Sequence, residues 1–162
     1  MVALETHLAA ERDTLALGHA LAGCLEAGLV VYLRGELGAG KTTLVRGVLR
    51  GLGYPGRVKS PTYTLVELYT VSRLDLHHFD FYRFHDPREW IDAGFRETFN
   101  GSNVSLIEWP EKAGPLLPAA DVEIVLTPGA AGRSASLHSS SPRGDRCLTC
   151  LAPNFRSASP PS

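Results

Sequence analysis

The apolar positions of this chain keep two rhythms. Between Glu11 and Ala27, Thr14, Leu17, Leu21 and Leu25 recur every three to four residues, the stripe of a helix packed on one face, and Gly28 closes it. Leu29 to Leu33 is instead an unbroken apolar run of strand length. Leu44, Val45, Val48, Leu49 and Leu52 then return to helical spacing until Gly51 and Gly53 stop it. Alternation follows, with Thr64, Val66 and Leu68 set against Leu65, Glu67 and Tyr69. A second alternating stretch, Leu74 to Phe84, places Leu76, His78, Asp80 and Tyr82 on one face and His77, Phe79, Phe81 and Arg83 on the other.

Shorter signals complete the pattern. Leu4 to Leu8 predicts a first strand. Asp86 caps a short helix that opens at Pro87 and carries Trp90, Ala93 and Phe95. Val104 to Trp109 is a mostly apolar strand with an acid near its end, and Pro110 terminates it. Val122 to Leu126 and Arg133 to His138 are the last strands. From Ser139 the texture turns Ser- and Pro-rich, which predicts a tail outside a domain of residues 1–138, with the last ten or so residues disordered.

The junction between the apolar run and the second helix carries the chemistry. Gly35-Glu36-Leu37-Gly38-Ala39-Gly40-Lys41-Thr42 reads G-x-x-x-x-G-K-[ST]. Glycines there let the chain leave a strand sharply and turn successive N–H groups inward as an anion nest. Lys41 reaches phosphates and Thr42 offers a hydroxyl to Mg²⁺. The following helix presents its unsatisfied N–H groups to the same point. Strand, glycine-rich loop and helix occur in the order that this chemistry needs.

Composition narrows the classes. The chain has 162 residues, 44% of them apolar and 20% charged, as in an ordinary one-domain globular protein. A formal charge of −1 leaves no basic footprint for capturing nucleic acid unaided. No apolar run is long enough to cross a membrane, and the N-terminus lacks the pattern of a secretory signal. Three cysteines make no disulfide framework, and a reducing cytoplasm is the simplest home. Cys147-x-x-Cys150, without a second ligand pair, reads as two free thiols rather than half a zinc site.

Two acids at strand ends are candidates for the chemistry. Glu108 closes a buried strand in the manner of a Walker B acid, placed to meet a phosphate-bound Mg²⁺. Asp80 has two readings, in the Mg²⁺ shell or orienting water, and in a surface salt bridge. Adjacent histidines on a strand point to opposite faces, so His77 and His78 are poor joint zinc ligands. Asp13 and Thr14 read as capping residues or as neighbours of a bound nucleotide. The Ser60-Pro61-Thr62 loop reads as an ordinary turn or as a γ-phosphate sensor.

Four stretches together resemble the bacterial tRNA threonylcarbamoyladenosine biosynthesis ATPase family, TsaE (YjeE). They are Gly35 to Thr43, Ser60 to Glu67, His78-Phe-Asp-Phe-Tyr-Arg83 and Ile107-Glu-Trp-Pro-Glu111, within a similarity that covers about residues 4 to 138. The resemblance implies a single-domain α/β P-loop NTPase fold with a mixed central sheet flanked by helices. It implies an ATPase, weak alone, that works with partners TsaB and TsaD and meets tRNA only through them. By position it implies that Glu36, Leu37, Gly38, Ala39, Gly40, Lys41, Thr42 and Thr43 cradle ATP. Thr42 and Glu108 hold Mg²⁺, and Lys41, Asp80 and Glu108 serve hydrolysis. Thr62 closes over the phosphates, Trp109 lies beside the site, and Thr14 and Arg133 neighbour the nucleotide. No arginine finger is expected in cis, because alternation puts Arg83 on the face opposite Asp80. Two other functions fit a P-loop: a small-molecule kinase, for which Arg83, Arg88 and Arg96 form no lid-like cluster, and a nucleotide-responsive adaptor that does not hydrolyse.

Overall fold

The computed structural model describes residues 1–58, 61, 65–71, 74–86, 99 and 101–158. The helix expected from Pro87 and the loop residue Thr62 lie outside them.

Seven strands form one mixed sheet: β1 (Ala3–Leu8), β2 (Val30–Arg34), β3 (Val66–Thr70), β4 (Asp75–Asp80), β5 (Val104–Glu108), β6 (Val122–Pro128) and β7 (Arg133–Ser139). Their order is β1-β7-β6-β2-β5-β4-β3. β6, β2, β5 and β4 run parallel at the centre; β7 and β3 flank them antiparallel, and β1 pairs antiparallel with β7. The helices among the described residues are α1 (Glu11–Ala22), α2 (Lys41–Gly51), the short α3 (Pro110–Ala113) and α4 (Pro142–Leu151).

β5 is buried along its whole length and β2 along most of its own, which is why these two read as largely continuous apolar runs rather than as alternation. In β2, Val31 and Leu33 join a core with Leu17 and Leu21 of α1, Val45 and Val48 of α2, and Leu148 and Leu151 of α4. Val30 faces the other way, into a second core of Phe79, Phe81, Phe84, Ile107 and Leu117. Burying each such side chain stabilises by about 1.5–3 kcal/mol. The sheet is therefore clamped between two cores, and the ends of its strands are fixed points.

α1 and α2 pack backbone to backbone. A Cβ placed on Gly18 would lie 2.4 Å from the Leu44 carbonyl oxygen, and one on Gly47 would lie 2.4 Å from that of Leu15. At the start of α1, the Asp13 carboxylate accepts a hydrogen bond from the Ala10 N–H at 2.9 Å, the reach-back half of a capping box.

Four expectations are corrected. α1 ends at Ala22 rather than Ala27; Leu25 keeps the helical spacing because it is buried, but from the loop that follows the helix. β4 ends at Asp80, since Phe81 N–H turns to the Glu108 carbonyl and Phe84 N–H closes a turn on Phe81. Alternation therefore says nothing about Arg83. The third concerns the segment read as a tail. Ser141 caps α4 by accepting the Gly144 N–H, with Pro142 in the first helical position. Gly144, Cys147, Leu148 and Leu151 form a buried stripe. Residues that read as part of a Ser/Pro-rich tail are a helix start signal. Cys150 is bonded to Cys24 in a disulfide, so only Cys147 of that pair is a free thiol, and burial pushes it up to about 12.

Candidate nucleotide site

β2 sits mid-sheet and delivers the chain to the glycine loop at its C-terminal end. Gly38 and Gly40 adopt φ of 81° and 105°, a region that costs an L side chain strain. A Cβ on Gly40 would also lie 1.8 Å from Arg133 Nη1. That guanidinium, from the start of β7, donates to the Ala39 carbonyl at 2.8 Å. α2 begins at once with Lys41; its first turn holds no acid and no side chain caps it. The leading N–H groups and the positive end of the helix dipole stay directed at the loop's concavity.

Parallel pairing of β4 and β5 sets Asp80 opposite Glu108. Both are almost fully buried, at 6% and 3% exposure. Glu108 Oε2 accepts the Thr42 hydroxyl at 3.1 Å and contacts His78 Nε2 at 2.6 Å. Asp80 Oδ1 accepts the Tyr82 N–H at 2.9 Å. Burial pushes the Asp80 pKa up and the Glu108 charge adds to this, while the bond from Tyr82 opposes it. Lys41 donates to the Gly35 carbonyl at 2.5 Å, and its ammonium lies 3.8 Å from the centre of the Trp109 ring. Burial lowers its pKa against the charges of Glu108, Asp80 and Glu111. Trp109 itself holds φ of 56°, a strained setting for an aromatic residue.

These groups border one cavity of about 490 Å³. Leu37, Gly38, Gly40, Lys41, Thr42 and Thr43 form its loop side. Asp80, Glu108, Trp109 and Arg133 form the rest of the predicted wall. Glu36 and Ala39 shape the loop through a backbone bond, Ala39 N–H to Glu36 O at 3.0 Å, and do not line the cavity. Thr14 is not on the wall: it is fully buried in α1, its hydroxyl without a partner among the described residues.

Four residues escaped the sequence reading. Glu11, Tyr82 and Arg83 line the cavity; Arg83 shares it with Asp80 because the strand has already ended. His78 is fully buried against Glu108. Its signal was register: it stands two residues before Asp80 on one strand and opposite Leu106, two before Glu108, on the next.

A mixed α/β sheet with a glycine loop, a buried lysine and two strand-end carboxylates around one cavity defines a P-loop nucleotide-binding protein. Comparisons with known proteins narrow this. The model of the family described as threonylcarbamoyl adenosine biosynthesis protein TsaE matches residues 8–135. A tRNA threonylcarbamoyladenosine biosynthesis protein TsaE from Haemophilus influenzae is 54% identical over 97 residues, 60% of this chain and 61% of that protein. One from Nostoc is 40% identical over 129 residues, 77% and 78% of the two chains. The crystal structure of Bacillus subtilis YdiB superposes with a TM-score of 0.82 at 28% identity, covering 96% of this chain and 97% of that one. This chain belongs to the TsaE family. No helix among the described residues is long and apolar enough to cross a membrane.

Proposed function

We propose that this chain is a Mg²⁺-dependent ATPase serving the machinery that makes N6-threonylcarbamoyladenosine in tRNA, at position 37 beside the anticodon. The observation that carries the reading is Thr42 bonded to Glu108 across from Asp80, at the lip of a loop built for phosphates. The donors there are a hydroxyl and two carboxylates, hard oxygens that suit Mg²⁺. Among the described residues no cluster of three His, Cys, Asp or Glu side chains could hold a metal alone. That fits an ion held jointly by the chain and by a nucleotide's phosphates.

Each residue then has a role. The N–H groups of Gly38 to Thr43 bind the phosphates, and Lys41 neutralises charge that grows during transfer. Thr42 and Glu108 hold the metal, which when bound neutralises phosphate oxygens. Asp80 orients the attacking water, and its raised pKa makes it a better proton acceptor than a solvated carboxylate. Trp109 and Arg133 enclose the nucleotide, and Thr62 closes over it. TsaB and TsaD, in the cytoplasm, are the partners, and tRNA is met through them, consistent with the formal charge of −1.

Steady-state phosphate release from ATP, measured while TsaB and TsaD are titrated in and with Lys41→Ala as the blank, tests this. Slow release alone, rising with the partners, is expected. A flat titration in the face of demonstrated complex formation overturns the partner coupling, and no release under any condition overturns the ATPase.

A further inference from the structure

His78 has no part in the functional reading so far, yet it is the most enclosed polar group at the site. Its side chain is 0% exposed, and its Nε2 lies 2.6 Å from Glu108 Oε2. The same oxygen accepts the Thr42 hydroxyl at 3.1 Å. An ionised carboxylate only accepts, so Nε2 carries the proton and donates. Nδ1 is buried with no partner among the described residues. Among the described residues the imidazole therefore has a single polar contact, the one to Glu108.

We propose that His78 is the positioning residue for the cation end of this site. A glutamate side chain has three rotatable bonds, and Glu108 is buried at a strand end where several rotamers could turn it from Thr42. Two donors converging on Oε2 remove that freedom. The Thr42 proton is directed to Glu108, which leaves the hydroxyl's lone pairs for the cation. The imidazole is itself immobile, because β4 is paired on both edges, with His78 opposite Glu67 on β3 and Leu106 on β5. This is the arrangement in which a partner behind the ligand sets the ligand's aim; removing such a partner typically costs 10–100-fold in metal affinity. The inference rests on reading Thr42 and Glu108 as the metal side of an ATP site.

The test uses Mn²⁺ as the spectroscopic probe. Free Mn²⁺ is followed by its paramagnetic resonance signal as it is titrated into the full chain held in excess over ATP, so that the nucleotide is bound and does not take up the ion in solution. Tryptophan fluorescence, in chains that also carry Trp90→Phe so that Trp109 alone reports, follows ATP binding in the presence of EDTA. Two substitutions of similar polarity separate positioning from packing: the amide of His78→Gln reaches the place of Nε2, and that of His78→Asn stops near Nδ1. His78→Gln should bind Mn²⁺ almost as the unsubstituted chain does. His78→Asn should bind it about 10–100-fold more weakly, with metal-free ATP affinity unchanged. Equal Mn²⁺ affinity in the two variants overturns the inference, as does a loss of metal-free ATP binding that parallels the loss of Mn²⁺. Failure of the unsubstituted chain to bind Mn²⁺ with ATP overturns the functional reading, and this inference with it.

Discussion

The two ends of the central parallel strands hold similar residues and use them oppositely. At the N-terminal end, Asp121 is consumed by the fold. Its Oδ2 accepts the Val30 N–H at 2.8 Å and its Oδ1 accepts the Ser141 hydroxyl at 2.6 Å. Arg143 donates to the Gly28 carbonyl at 2.9 Å and lies 3.9 Å from the same aspartate. These bonds tie β2, β6 and α4 into one corner. At the C-terminal end, Asp80 accepts a single hydrogen bond among the described residues, and Lys41 has one backbone partner among them. Both charges are nearly buried and keep unused capacity toward the cavity. Burial without full pairing is costly, so the same chemistry stabilises at one end and is held ready at the other.

Removing a group from the ready end should damage function and spare the fold. Lys41→Ala is expected to lower kcat/KM for ATP by about a hundredfold to a thousandfold, with no loss in Tm. A variant that melts early would show that Lys41 is structural.

Stability should instead fail at the other end. Cys150 anchors the end of α4, the helix whose start carries Ser141 and Arg143. Cys150→Ser, compared with the oxidised protein, should lower stability by about 2–5 kcal/mol and leave ATP affinity within error. A parallel loss of ATP affinity would mean that the two ends are not independent.

Asp121→Ala is a smaller version of the same test. It leaves the Val30 N–H and the Ser141 hydroxyl without their acceptor, a cost of about 1–3 kcal/mol. Urea unfolding should show the loss, and phosphate release should not.

The smallest effect sharpens the contrast most. Because burial raises the Asp80 pKa, its ionisation costs stability as pH climbs from the ordinary carboxylate range through the raised folded value. Asp80→Asn should thus melt slightly above the unsubstituted protein near pH 7. The gain should vanish below the ordinary carboxylate range, where Asp80 is protonated in both states. A lower Tm at pH 7 would show that the fold needs this charge.

How much of this was legible in sequence differs by residue. The loop from Gly35 to Thr42 announced itself, because its glycines answer a local backbone demand. β5 and Glu108 were legible for a similar reason, an apolar run ending on an acid. The partnership of His78 with Glu108 was not, since it needs the β4–β5 register, which pairs residues 30 positions apart. Arg83 was misplaced because alternation holds only while a strand lasts, and β4 stops at Asp80. α4 is hidden by composition: Ser141-Pro142 lies in a Ser/Pro-rich stretch, yet it is the cap and first turn of a helix. Thr14 keeps its helical position but is buried away from the cavity wall, and no local rule says which buried hydroxyl faces a cavity.

The glycine seam between α1 and α2 has a mechanical consequence. Helices that meet through side chains can slide by rotamer changes; these two meet through their backbones at Gly18 and Gly47 and have no such compliance. The wall of the cavity carrying Lys41 and Thr42 therefore acts as a fixed jaw. On the function proposed above, closure over a nucleotide falls to the loop that carries Thr62, since Phe81 and Phe84 beyond β4 are themselves locked in the second core. Amide exchange would read this as unchanged protection along both helices and altered protection around Thr62 when ATP is added. The chain would then grip from one side only, against a wall that does not yield.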